Sequence, residues 1–182
     1  SLRRQSQLQA RLPQLKIESL RGNLQTRLRK LDEGQYAAII LAAAGLIRLG
    51  LQTRIRSVIA PELSIPAVGQ GALGIEISAN RPDLHAVLAP LNHADTQACV
   101  EAERAMSRAL AGSCTVPLGA FATCQGDDLS ITGFVGSVDG KQMLVEKATA
   151  KRHQADALGK QLAAQLIAKG ADRILAALDG HK

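Results

Sequence analysis

Two kinds of residue in this chain have types and spacing suited to chemistry: a cysteine on a tight loop, and arginines crowded into the first third. Cys114 sits in the run Leu110-Ala-Gly-Ser-Cys-Thr-Val-Pro-Leu-Gly119. A helical pattern from about Asp95 to Leu110 puts Ala102, Met106 and Leu110 on one face,. Gly112 is placed to supply a left-handed C-terminal cap, so the cysteine falls just past a helix end. Metal binding asks for several Cys or His ligands at short spacing. Cys99 and Cys124 are the other thiols, and neither makes a CxxC or CxxH pair with Cys114. A reactive thiolate is favoured at a helix N-terminus or beside cations; a helix C-terminus carries the opposite partial charge. Spacing leaves two uses open. One is a covalent tether, whose sulfur ends as an uncharged thioether and needs position more than acidity. The other is burial as a small hydrophobe.

The arginines carry the second signal. Residues 1–56 hold nine Arg and two Lys against Glu18, Asp32 and Glu33, a local charge of +8, whereas residues 57–182 carry −2. Arginine's planar fork suits bidentate binding of carboxylate or phosphate. Ser1 is positioned to cap a helix to about Arg11, with Leu8 and Leu12 packing inward. Arg3 and Arg4 then fall in the first turn, where the helix dipole disfavours cations. Such a pair points to an anion held jointly by the helix N-terminus and the guanidiniums. An exposed basic turn is the alternative, at a cost of roughly a few tenths of a kcal/mol. The arrangement repeats: Arg21-Gly22-Asn23 forms a turn, Asn23 caps a helix to about Glu33 with Leu24, Leu28 and Leu31 inward, and Arg21 and Arg27 flank its start,. Arg29 points to water.

The elements that must position these groups follow from periodicity. Leu15–Leu20 alternates as a short strand, and Tyr36–Ala42 reads as a continuous apolar strand buried on both faces. A short helix from Ala43 carries Arg48, which either binds an anion or snorkels from an apolar helix. Strands alternating with helices make an α/β pattern with ligands at the strand C-termini. Pro61, Pro66, Gly69 and Gly71 mark a break in composition. Pro66–Gly71 reads as a crossing segment, Ala72–Ile77 as a strand, and 82–91 as a helix. Gly69-Gln-Gly71 has no phosphate-loop lysine, so Gln70 either binds substrate or satisfies backbone. From Ala94 a third unit follows: the helix before Cys114, strands near 117–123, 129–138 and 143–148, and helices near 154–168 and 171–178. Gly126-Asp-Asp128 and Asp139-Gly140 are hairpin turns. Three antiparallel strands with helices on one face form a small α+β domain.

Composition narrows the function classes. With 182 residues, 46% of them hydrophobic, the chain can bury a core, and no apolar run approaches a membrane span,. Three unpatterned cysteines suggest reduced thiols in a cytoplasmic setting,. A nucleic-acid-binding module would use the basic first third, but aromatics are 2% of the chain, leaving little for base stacking,. An anion-binding module without enzymatic activity is a further alternative, though it has no use for Cys114. The chain starts at Ser1 inside a recognisable motif, which reads as the C-terminal part of a longer protein.

Five ordered stretches resemble the porphobilinogen deaminase (hydroxymethylbilane synthase) family: Ser1-Leu-Arg-Arg-Gln5, Ser19–Arg27, Ala37–Leu49, Pro66–Gly71 and Gly112–Gly119. The resemblance implies that Cys114 carries a dipyrromethane cofactor through a thioether. It implies stepwise condensation of four porphobilinogen molecules into hydroxymethylbilane, with loss of ammonia. Ser1, Arg3, Arg4 and Arg27 match positions expected to hold the cofactor's carboxylates; Arg21, Arg27 and Arg48 match positions toward substrate, where Gln70 is a further candidate. No metal is implied. The fold expected is part of a periplasmic-binding-protein-like two-domain α/β unit followed by the α+β domain. On that basis 1–65 belong to the second domain, 66–91 return to the first, and 92–182 form the C-terminal domain. The family's catalytic aspartate falls outside this chain, so the 182 residues alone are expected not to turn over porphobilinogen. A cytoplasmic monomer is implied, with a small-molecule substrate and neither membrane nor nucleic acid as partner.

Overall fold

The computed structural model describes residues 1–110 and 116–179. Gly112 and Cys114 lie outside the described residues, so the expected cap and tether have no geometry here. Helices α1 (Leu2–Arg11), α2 (Leu24–Asp32), α3 (Ala43–Arg48) and α4 (Pro82–Leu88) precede the long helix α5 (Ala94–Ala109). Strands β1 (Leu118–Gln125), β2 (Asp128–Gly136) and β3 (Met143–Lys151) follow, then helices α6 (Ala155–Ala168) and α7 (Ala171–Asp179).

The C-terminal half folds as its periodicity predicts. The strands make one antiparallel sheet in the order β1-β2-β3. Pairing of Gln125 with Asp128 closes a two-residue turn at Gly126-Asp127, with Gly126 at φ +60°,. Leu118, Ala120 and Ala122 on β1, with Leu129, Ile131 and Val135 on β2, point to one side. There they meet Ala102, Met106 and Leu110 of α5 and Leu158, Leu162 and Leu166 of α6 in a single core. Cys124 of β1 and Cys99 of α5 border the same core.

Helices cover one face of this sheet as expected, but α1 reaches the other. Phe134 points away from α5 and is fully buried. Its register partner Gly119 lies beneath Arg3 and Pro66. A β-carbon on Gly119 would stand 2.5 Å from the Pro66 carbonyl oxygen and 2.8 Å from the Phe134 ring. Ser6 Oγ approaches Met143 Sδ at 3.2 Å on the same side. Gly119→Ala is therefore expected to destabilise the fold by about 1–3 kcal/mol, as overpacking does, read as a lower urea midpoint. An unchanged midpoint would mean that the crossing segment yields freely.

The N-terminal half departs from its periodicity in three places. Residues 15–20, 36–42 and 72–77 form no strand. A strand exists through ladder hydrogen bonds to a neighbour, and no described segment pairs with these three. Tyr36–Ala42 is accordingly not buried on both faces, and Leu73 and Ile75 are 77% and 60% exposed. The inner face of α1 also differs. Arg3, Ser6 and Gln7 are buried, while Leu12 is 42% exposed. The reason lies across the fold: the backbone of Ile65 arrives beside α1 with unpaired groups that polar side chains satisfy.

Candidate functional site

Helix α1 starts at Ser1, which occupies the cap position without a side-chain cap hydrogen bond. Helix α2 starts at Asn23, whose side chain accepts from the Thr26 amide at 2.8 Å. The turn before it needs Gly22: its φ is +118°, and an added β-carbon would strike the Thr26 side chain,. Arg27 Nε donates to the Gly22 carbonyl at 2.8 Å, which holds its guanidinium beside the turn.

These two helix starts converge. Arg4, Arg3, Arg27 and Arg21 all stand close enough to Ser1 for their charges to act at that helix start. Burial and the charge of Arg27 pull the Arg4 pKa below its ordinary value. Arg4 Nη1 donates to the Ile40 carbonyl at 2.8 Å, so the stretch 36–42 borders the cluster. Four guanidiniums thus share one small region, and Arg4 feels the repulsion of Arg27.

Arg3 behaves differently from its neighbour. It is 8% exposed and donates through Nη1 to the Ile65 carbonyl at 2.7 Å and through Nη2 to Gln70 Oε1 at 3.2 Å. Burial, then Arg4, lowers its pKa to about 10. Arg3 is a bolt between α1 and the crossing segment as well as a member of the cluster. Arg48 joins from the far side of that segment, donating to the Gly71 carbonyl at 2.9 Å. Ser1, Arg3, Arg4, Arg21 and Arg27 are therefore brought together, while Arg48 and Gln70 meet at residues 70–71 and connect to the cluster through Arg3.

The partners of these arginines are informative. Arg29, Arg54, Arg81, Arg108 and Arg152 each pair with a carboxylate. Among the described residues, Arg3, Arg4, Arg21, Arg27 and Arg48 have none, nor do Arg11, Arg56, Arg104 and Arg173; of the first five, four donate to backbone carbonyls and Arg21 has no side-chain partner. A set of guanidiniums without a counter-ion, from buried Arg3 through half-buried Arg4 and Arg27 to exposed Arg21 and Arg48, fits a ligand with several carboxylates, since charge-assisted forks are the strongest bonds it can make. Among the described residues no cluster of three or more His, Cys, Asp or Glu is set to hold a metal.

Two further residues escaped sequence reasoning. Gln7 clamps Ile65 from both sides: its Nε2 donates to the Ile65 carbonyl at 3.1 Å, and its Oε1 accepts from the Ile65 amide at 2.6 Å. Glu103 of α5 is 6% exposed and accepts from the Gly69 amide at 2.7 Å and the Ala122 amide at 2.8 Å. Its carboxyl is pushed up by burial, against the two amide bonds that hold it down. A polar residue four positions from Arg3 and a Glu on the apolar side of α5 were the available signals.

Fold and cluster together describe an α+β protein whose N-terminal half gathers guanidiniums around one helix start. Comparison with known proteins makes this specific. Residues 1–86 match the family model "Porphobilinogen deaminase, dipyromethane cofactor binding domain", and residues 97–168 match "Porphobilinogen deaminase, C-terminal domain". Over 178 residues, 98% of the chain, it is 74% identical to a porphobilinogen deaminase of Methylobacillus flagellatus. Over the same length it is 60% identical to one of Nitrosomonas europaea and 57% identical to one of Chromobacterium violaceum. It spans 57% of the first relative's length and 58% of the other two. The chain belongs to the porphobilinogen deaminase family.

Proposed function

We propose that this chain is the cofactor- and substrate-holding part of a transferase that condenses four porphobilinogen molecules head to tail into hydroxymethylbilane, releasing ammonia, in haem biosynthesis. The observation that carries this reading is the convergence of Arg3, Arg4, Arg21 and Arg27 near Ser1 with no carboxylate partner among the described residues. Each porphobilinogen brings an acetate and a propionate, so a growing chain of them is a polyanion. Bound to Cys114 as a thioether, the dipyrromethane supplies the free pyrrole carbon on which condensation starts.

This chain's own residues hold and orient. Arg3, Arg4 and Arg27, with the Ser1 helix start, take the cofactor carboxylates. Arg21, Arg27, Arg48 and Gln70 take those of substrate and product. Such a clamp contributes position and charge compensation in the cleft. Protonating the leaving amine requires a carboxylic acid, and the reading assigns that step to the family's aspartate, outside these residues. Residues 1–65 belong on this reading to the second domain of a periplasmic-binding-protein-like unit, 66–91 return to the first, and 92–182 form the C-terminal domain. The protein acts as a cytoplasmic monomer.

Intact mass of the freshly purified natural-length protein tests the reading. A dipyrromethane adduct mapped to Cys114, and absent in Cys114→Ser, is expected. An unmodified mass in protein that nonetheless forms hydroxymethylbilane would sink the tether.

A further inference from the structure

Cys99 on α5 and Cys124 on β1 are 25 positions apart in sequence, yet their Sγ atoms lie 3.7 Å apart. Both are free and half-buried. They line a pocket of about 240 Å³ together with Asp95, Thr96, Val100 and Phe121, so a small solute reaches the sulfurs without unfolding the core. The surroundings of the two thiols differ. Cys124 Sγ also approaches the Asp95 carbonyl oxygen at 3.7 Å. The Arg152 guanidinium, paired with Asp95 at 2.6 Å, lies close enough to Cys124 for their charges to interact. Cys99 has no such cation; burial, then its bond with Cys124, pushes its thiol up to about 12.

We propose that Cys99 and Cys124 form an oxidisable dithiol that a peroxide converts into an intrachain disulfide joining α5 to β1. The sulfurs need to approach from 3.7 Å to a bond of about 2.05 Å,. Cys124, next to Arg152, is the attacking sulfur. It takes one oxygen of hydrogen peroxide as a sulfenic acid; the O–O bond breaks, and the departing hydroxide leaves as water with the thiol proton. Cys99 then attacks the Cys124 sulfur, the S–O bond breaks, and the hydroxide leaves with the Cys99 proton as a second water. Two thiols and one peroxide give one disulfide and two waters, a two-electron oxidation. A thiol reductant reverses it.

The ring so closed contains residues 111–115, and hence Cys114. Its ends are α5 and β1, the elements on either side of that stretch. The interest of that placement rests on the proposed role of Cys114, but the cross-link does not.

The test is peptide mapping of the natural-length protein after brief treatment with a small excess of hydrogen peroxide, followed by iodoacetamide. The expected product is a Cys99–Cys124 cross-linked peptide, with two thiols lost per chain and restored by dithiothreitol. In Cys99→Ser, the sulfenic acid on Cys124 accumulates and is trapped by dimedone. Recovery of Cys99 and Cys124 both alkylated and unlinked, or linked instead to Cys114, would overturn the proposal. Absence of a Cys114 adduct in the same digest would sink the tether reading alone, leaving the dithiol standing.

Discussion

Arg4→Leu is expected to lower both dipyrromethane loading and porphobilinogen turnover by about 10- to 100-fold, the worth of one charge-assisted hydrogen bond of about 1.5–3 kcal/mol. In the ligand-free protein Arg4 is half-buried, held down by burial and by the charge of Arg27, with one bond to the Ile40 carbonyl at 2.8 Å. Its removal forfeits that bond and relieves the repulsion. These effects oppose each other, so the ligand-free thermal midpoint should move little. A carboxylate arriving between Arg4 and Arg27 gains from both, and that gain is what the variant loses. Arg4→Lys keeps the charge without the planar fork and should fall between the two. Loading is read by intact mass and turnover by product formation. If both persist in Arg4→Leu while the midpoint drops, Arg4 is merely a bolt to residue 40 and the clamp loses its central member.

Glu103→Ala should be among the most destabilising single changes, costing roughly 2–5 kcal/mol, because it strands two buried amides at about 1–3 kcal/mol each. The carboxylate is the joint between α5, the middle of β1 and the crossing segment, through Ala122 and Gly69. With Gly69 released, Gln70 and the Gly71 carbonyl lose register against Arg3 and Arg48. The loss should therefore appear as a raised KM for porphobilinogen as well as a lower urea midpoint. Glu103→Gln retains one acceptor oxygen and should recover part of the stability. The pH dependence has a definite sign. Burial raises the folded-state pKa, so the folded chain holds this proton more tightly than the unfolded one,. Stability from this group falls as pH rises from the ordinary carboxylate value through the raised one, and that slope should vanish in Glu103→Gln. An Ala variant with wild-type midpoint and KM would show that the two amides find other partners.

Local signals were legible wherever a residue's behaviour depends on its near neighbours in sequence. The Asn23 cap, the α5 stripe of Ala102, Met106 and Leu110, and the Gly126 and Gly140 turns all follow from torsional preference and short-range spacing. The arginine excess was visible in the same way, as composition. Long-range pairing was not legible. The stretches 15–20, 36–42 and 72–77 have strand-like patterns, but a pattern does not supply the neighbour that a ladder needs. Nor does spacing reveal that Cys99 and Cys124 meet, since nothing short-range relates residues 25 apart.

What the sequence determined by itself is therefore the inventory: which segments coil, where they stop, which residues are cationic, and where a thiol sits. The tertiary structure alone decided how that inventory is used. It turned Arg3 and Gln7 inward onto Ile65, contrary to the apolar reading of α1, and left Arg4 and Arg27 close to each other with no counter-ion among the described residues. The reason is physical. Helix propensity and turn geometry are properties of a few consecutive residues, whereas the fate of a polar side chain is set by which unpaired backbone groups and charges arrive beside it from far along the chain.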